Sequence, residues 1–237
     1  MLVIGLTGGI ACGKSTVSKI LSSHFPIIDA DAIVTELYQQ GHKGYDAVIR
    51  LFGKNALKEN GEIDRQRLAS IVFEDEAKRK KLNSAVHKLV FEVILIRSIK
   101  YYLKGSQCII LDVPLLFESG LISTLITSKR ITVSAPELVQ VQRLKIRNNF
   151  SEEEALKRIR TQMPTSEKEK RSDYVIHNDG SLDNLHKQVD ALIENIKNEI
   201  TYKYPILPPL WILATFLIAV LLLTIIFNVV KLLNFSK

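Results

Sequence analysis

The stretch Gly8-Gly9-Ile10-Ala11-Cys12-Gly13-Lys14-Ser15 constrains this chain more than any other, because it fits the pattern G-x-x-x-x-G-K-[ST] with no forced position. Its flanks supply the context that gives the pattern meaning. Leu2-Val3-Ile4-Gly5-Leu6 reads as a short buried strand, and Ser15 to Ser22 reads as a helix with Val17, Ile20 and Leu21 on one face. Glycines at 8, 9 and 13 permit backbone angles that a side chain forbids. The loop can therefore curl so that successive N–H groups hold phosphate oxygens, with the positive end of the following helix dipole behind them. In such a cradle Lys14 reaches the β- and γ-phosphates, and the Ser15 hydroxyl ligates Mg²⁺. A chance match in a glycine-rich turn is the competing reading; the strand before it and the helix after it argue for a nucleotide phosphate site.

The 237 residues suffice for one large domain, or one domain with an appendage. The net charge of +7 is compatible with nucleic acid, a membrane surface or phosphorylated ligands, but the basic residues are interleaved with acids, as in Ser151-Glu152-Glu153-Glu154-Ala155-Leu156-Lys157-Arg158. Interleaving favours a solvated surface over a nucleic-acid stripe, and no nucleic-acid partner is expected. The two cysteines, Cys12 and Cys108, have no metal-ligand spacing and suit a reducing compartment. Cys12 sits at a helix N-terminus, where a thiol pKa can fall; redox control and a merely small residue that fits are both open readings. No secretory signal peptide is expected, since the N-terminus runs straight into the first strand.

Pro26-Ile27-Ile28 reads as a second strand ending in Asp29-Ala30-Asp31. Carboxylates at the C-terminal end of a parallel strand face the ligand crevice. Asp31 is the candidate general base or orienter of an attacking hydroxyl. Asp29 can position Mg²⁺-bound water or cap the following helix, and helix capping is an alternative for both. Residues 32–104 lack strand signals and carry helical patterning around 32–40, 43–52, 64–73 and 75–104. A helical insertion of this kind would hold the acceptor, with Arg65 and His87 as candidate contacts; a surface arginine and a core-edge histidine are the plainer alternatives. Lys78-Arg79-Lys80-Lys81 reads as a solvated helix face.

Cys108-Ile109-Ile110-Leu111-Asp112-Val113-Pro114 is the third strand, and Asp112 is placed like a Walker B acid that orients hydrated Mg²⁺. Leu115 to Glu118 begins a loop and a short helix. Ile131-Thr132-Val133 is the fourth strand, and Pro136 opens a helix at its N1 position. That helix presents Arg143 and Arg147 one turn apart. Ser151 with Glu154 forms a capping box for a helix through Gln162. Residues 144–171 are polar, charged and helical, which reads as a mobile lid supplying arginines to ATP phosphates, or else as a surface hairpin. Tyr174-Val175-Ile176 is the fifth strand, followed by a turn at His177-Asn178-Asp179-Gly180 that can border the adenine, and by a helix from Leu182 to Ile200. The fold expected is α/β: a five-stranded parallel sheet of the phosphate-loop kinase type, with a helical acceptor-binding insertion and an arginine lid.

Over roughly residues 1–200 the sequence resembles the dephospho-coenzyme A kinase family. The resemblance is carried by Ile4 to Ser15, Ile28-Asp29-Ala30-Asp31, Asp64-Arg65 with Leu68-Ala69 and Val72-Phe73, and Asp112-Val113-Pro114-Leu115-Leu116-Phe117-Glu118. It continues through Gln142-Arg143 to Arg147, Arg158-Ile159 with Gln162-Met163-Pro164, and Asp173-Tyr174-Val175-Ile176 with Asn178. It implies ATP-dependent phosphorylation of the ribose 3′-hydroxyl of dephospho-CoA, the last step of coenzyme A synthesis, with Mg²⁺. By position it implies catalytic roles for Lys14, Asp31 and Arg143. ATP contacts would come from Gly8, Gly9, Ile10, Ala11, Cys12, Gly13, Lys14, Ser15, Thr16, Arg143, Arg147 and Asn178. Acceptor contacts would come from Thr7, Asp31, Arg65 and His87, and metal contacts from Ser15 and Asp112. The chain departs from the family at Ala11 and Cys12, where glycine and serine are frequent, at Lys88, where proline is usual, and at His177, where an acid is common. Another small-molecule phosphate-loop kinase, or a catalytically silent membrane-anchored nucleotide-binding partner, are the other readings.

From Leu210 to Val230 the chain is apolar apart from Thr215, Thr224 and Asn228. As a helix this run would reach about 31 Å, the thickness of a bilayer's hydrocarbon core. Pro205, Pro208 and Pro209 break the preceding helix, and Trp211 suits an interface. The expected organisation is therefore a kinase domain over 1–204 and a membrane anchor over 205–237, with a buried C-terminal helix as the alternative. The kinase domain would face the cytosol, on the mitochondrial outer membrane or the endoplasmic reticulum.

Overall fold

The computed structural model describes residues 1–118 and 126–203, together with residues 215, 218, 221, 222 and 224. Five strands form one parallel sheet in the order β2-β3-β1-β4-β5: β1 is Leu2–Gly8, β2 Ile27–Asp29, β3 Cys108–Asp112, β4 Lys129–Ser134 and β5 Tyr174–His177. The register sets Leu6 opposite Asp112 and Asp29 opposite Asp112, so the acidic ends of β2 and β3 lie level beside the end of β1. The chain builds β2 and β3 on one side of β1 and then β4 and β5 on the other. In open parallel sheets the ligand crevice lies at such a reversal, outside the carboxyl ends of the strands.

The helices divide into two layers and a flap. Helix α1 (Lys14–Leu21) and the long C-terminal helix, here α9 (Leu182–Lys203), cover one face of the sheet, where Val17, Leu21, Leu185, Val189, Leu192 and Ile196 pack on Leu2, Ile4, Ile131 and Val133. The other face is covered by the insertion between β2 and β3: α2 (Ala30–Leu37), α3 (Lys43–Phe52), α4 (Arg65–Glu74) and α5 (Glu76–Leu103). Burying both faces explains why β1 and β3 read as unbroken apolar runs rather than alternating ones. Capping carboxylates set three of the helix starts: Asp29 accepts from Ala32 N, Asp64 from Gln66 N and Arg67 N, and Asp75 from Lys78 N.

The flap follows β4. Helix α6 (Glu137–Asn148) leads into α7 (Glu152–Arg160), which the expected Ser151–Glu154 capping box starts, and then into α8 (Thr165–Lys170). Leu144, Val141 and Ala155 are buried against Ile10 and Ala11, which joins the flap to the tip of the glycine-rich loop. Pro136 stands one position earlier than expected. It is the cap residue before α6, in extended geometry (ψ 149°), and Glu137 is the first helical residue.

The short helix expected after Leu115 falls partly on residues outside the described ones. The membrane-spanning helix expected over 210–230 is not upheld. Among the described residues no helix is long and apolar enough to cross a membrane. Most of that stretch lies outside the described residues, and the expected boundary at 204–205 falls at their edge. An apolar run establishes hydrophobicity, but a span requires about 20 continuous helical residues.

Candidate active site

The glycine-rich loop has the backbone that its sequence demands. Gly13 is left-handed at φ 91°, and a Cβ added there would lie 2.0 Å from Asn178 Nδ2. Ala11 also adopts positive φ, at 60°, a conformation more at home in glycine. At Gly8 an added Cβ would meet the Val133 carbonyl oxygen at 2.6 Å, so the loop lies flush against β4. Side chains from three other elements then pin the loop. Asn178, just beyond β5, donates from Nδ2 to the Cys12 carbonyl at 2.8 Å. The Arg143 guanidinium, on α6, donates to the Ala11 carbonyl (3.2 Å) and to the Asn178 carbonyl (2.9 Å). Gln162, between α7 and α8, accepts from Ile10 N at 3.0 Å.

These groups line a cavity of about 680 Å³ with Lys14, Ser15, Thr16, Arg147 and Gly180. Arg143 makes no ion pair among the described residues, so its charge remains available to an anion in this cavity. At the sheet end of the site Lys14 donates to Asp112 Oδ1, and Asp112 is nearly inaccessible to water. Asp31, in the first turn of α2, completes the group. Burial raises its carboxyl pKa, with Asp29 and Asp112 adding to the rise and Lys14 opposing it. Three carboxylates and one ammonium thus converge at the ends of β2 and β3.

A larger cavity of about 910 Å³ opens in the helical insertion, lined by Thr35, Tyr38, Gln40, Lys58, Asp64 and Arg65 among others. The Arg65 guanidinium lies 5.9 Å from the centre of the Tyr38 ring. Thr35 is one turn along α2 from Asp31, to whose carbonyl it donates, so this cavity begins a single helical turn from the carboxylate cluster.

The profile of the dephospho-CoA kinase family matches residues 2–184. A dephospho-CoA kinase of Bacillus cereus is 45% identical over 195 residues, covering 82% of this chain and 96% of the relative. The chain belongs to the dephospho-CoA kinase family. It is an ATP-dependent phosphotransferase of the last step of coenzyme A synthesis. Two solved structures share its fold. A Thermus thermophilus protein superimposes with a TM-score of 0.70 at 33% identity, covering 82% of this chain and 97% of that one. A dephospho-CoA kinase from Campylobacter jejuni gives a TM-score of 0.64 at 29% identity, covering 83% and 98%.

The family corrects the expected location. The relatives are enzymes of bacteria, which possess neither mitochondria nor endoplasmic reticulum, and no described helix can span a membrane. The assignment of a membrane-anchored kinase to either organelle is therefore withdrawn.

Of the residues expected in the site, Gly8 to Ala11, Gly13 to Thr16, Arg143, Arg147 and Asn178 surround one cavity, and Arg65 lines the other. The buried Cys12 side chain faces away from this cavity, into the core beneath the loop. Two expected residues stand elsewhere. Thr7 is fully buried and donates its hydroxyl to the Pro114 carbonyl at 2.8 Å, which leaves it no surface for an acceptor. His87 is exposed on α5 and lines neither cavity. Burial favours the reading of Cys12 as a small residue that fits: the thiol pKa is raised, chiefly by burial, against the smaller opposing pull of hydrogen bonds from Ala135 and Gly9. One part of the site left no sequence signal, the fully buried Lys168. Its ammonium pairs with Glu118 at 2.9 Å, and nothing in the local sequence separates it from the solvated Lys170.

Proposed function

We propose that the two cavities are the donor and acceptor halves of the kinase site, meeting at Asp31, Lys14 and Asp112. The observation that carries this reading is the convergence of the Lys14–Asp112 contact with the raised carboxyl of Asp31 at the mouth of a glycine-rich loop. ATP lies in the cavity of the loop, with its phosphates on the backbone N–H groups and on the N-terminus of α1. Arg143 and Arg147 neutralise phosphate charge from the flap, and Asn178 borders the nucleoside. Residues 1–204 form the kinase unit, 32–104 its acceptor region and 144–171 its lid.

The donor set for a cation consists of oxygens, the Asp112 carboxylate and the Ser15 hydroxyl, which suits Mg²⁺ and its preference for hard ligands. When bound, Mg²⁺ neutralises charge on the transferred phosphoryl group.

The chemistry of the chain itself then follows. Asp31 accepts the proton of the ribose 3′-hydroxyl as its oxygen attacks the terminal phosphorus of ATP, whose bond to the bridging oxygen breaks to release ADP. Its raised pKa, which comes first from burial, makes it a stronger base than an ordinary aspartate. Lys14 stabilises the charge that builds on the phosphoryl oxygens. Arg65, stacked near Tyr38, holds the acceptor beyond its ribose. An acceptor panel read by ADP formation tests the assignment: dephospho-CoA should be the preferred acceptor over nucleoside monophosphates and sugar acids, and equal turnover of a nucleoside monophosphate would overturn it.

A further inference from the structure

Gln162 is not explained by the loop's own needs. It stands in the link between α7 and α8 and lines the nucleotide cavity, half-buried, with Lys14, Pro114 and Arg143. Its Oε1 accepts from Ile10 N at 3.0 Å. Because a backbone N–H only donates, this contact fixes which end of the carboxamide is oxygen. The acceptor end is thereby engaged by the loop, and the end that remains is an NH₂ group with two donors and no charge.

The link that carries Gln162 is unusually well anchored. Glu118 Oε1 accepts both from Met163 N at 3.1 Å and from the fully buried Lys168 Nζ at 2.9 Å. Lys168 also donates to the Pro114 carbonyl at 3.4 Å, and Pro114 is two residues from Asp112. On the loop side, Thr165 lies close to Gly9. A buried ion pair is weak grounds for stability alone, and one of its better-attested uses is to fix a single arrangement. Here it fixes the residue next to Gln162 relative to both the loop and the Asp112 strand.

We propose that Gln162 is a further phosphate-contacting residue of the reaction: its NH₂ group donates to the terminal phosphoryl group of ATP, while the Lys168–Glu118 pair positions it. The terminal group is the target because Ile10 lies at the start of the loop. The inner phosphates are held at the other end, by the backbone N–H groups of the helix N-terminus from Gly13 to Ser15, while the Lys14 side chain reaches outward to the terminal one. The inference rests on the nucleotide-site reading above.

The test compares ATP and ADP binding by calorimetry on the full chain, without acceptor. Gln162→Glu keeps an oxygen for Ile10 N but replaces the donor pair with an anionic oxygen. ATP affinity should fall about ten- to a hundredfold, as for loss of a hydrogen bond to a charged group plus repulsion, while ADP affinity stays within about twofold. Gln162→Ala should show the same selectivity for ATP with a smaller loss, and it serves if the glutamate variant melts early. An equal loss for ATP and ADP, or no loss for either, would overturn the proposal. Lys14→Ala is the reference: if it binds ATP as tightly as the parent, the nucleotide-site reading itself fails and takes the proposal with it.

Discussion

Asn178 reaches across from the end of β5 to bond the carbonyl of Cys12, and the space this requires exists only because residue 13 is glycine. The relationship predicts a large asymmetry between two substitutions. Gly13→Ala places a methyl group 2.0 Å from Asn178 Nδ2 on a backbone of φ 91°. It should abolish nucleotide binding by forcing the loop open. Asn178→Ala removes one buried hydrogen bond, at about 1–3 kcal/mol, and should leave weakened but measurable ATP binding. Calorimetric titration with ATP distinguishes the two; comparable affinity in both variants would contradict the account.

Asp31→Asn should separate stability from activity. The folded-state pKa of Asp31 lies above its ordinary value, so its stabilising contribution is full below about pH 3.8 and is lost as pH rises through the folded value. At pH 7 the ionised group opposes folding, although water screens part of the effect because the carboxyl is only partly buried on a residue that stays open to solvent. Asn should therefore raise the Tm modestly at pH 7, with the gain shrinking on acidification. Turnover should fall about 10²–10⁴-fold, the usual contribution of a general base. The parent's kcat should decline toward acid pH at a point above the ordinary aspartate range, and the variant should lack that limb. A lowered Tm at pH 7, or a retained acid limb, would count against the base.

The cysteines should be inert in the folded chain. Burial raises the Cys12 thiol, and burial with the nearby Glu199 carboxylate pushes Cys108 up to about 12. The thiolate is the reactive form, so both groups should resist a neutral alkylating reagent at pH 8 and react only as urea unfolds the chain. Mass spectrometry after timed quenching reads this directly. Prompt labelling of Cys12 in the native state would reinstate redox control.

Lys168→Met should lower stability by about 3–5 kcal/mol, because it strands Glu118 beside a buried site. Adding Glu118→Gln should recover much of that loss, since removing both charges of such a pair is often near neutral. Urea denaturation of the single and double variants provides the comparison; a double variant no more stable than the single would contradict the pairing.

Much of this structure was legible in the chain because its signals were local. The loop glycines, the strand ends at Asp29 and Asp112, and the capping box at Ser151 each announce themselves within a few residues, and all are found at the expected places. What escaped depends on contacts distant in sequence. Thr7 reads as a residue of the ligand-binding motif, yet its hydroxyl is taken by Pro114, 107 positions away. Cys12 reads as a thiol at a helix dipole, but the packing of the layer beneath it overrides that field. Lys168 looks like any surface lysine until the segment after β3 folds over it. The apolar run at 210–230 reads as a span from composition alone, and most of it lies outside the described residues, among which no helix is long and apolar enough to cross a membrane.

The central claim is that Lys14, at the mouth of the glycine-rich loop, stabilises the phosphoryl group as it passes to the acceptor. The most direct measurement is ADP formation by the full chain with ATP, Mg²⁺ and dephospho-CoA, compared between the parent and Lys14→Ala at matched thermal stability. Loss of a positioned electrostatic contact of this kind is worth about 3–4 kcal/mol, so turnover should drop about 10²–10³-fold while the fold is retained. Turnover within a few-fold of the parent would contradict the assignment of the site.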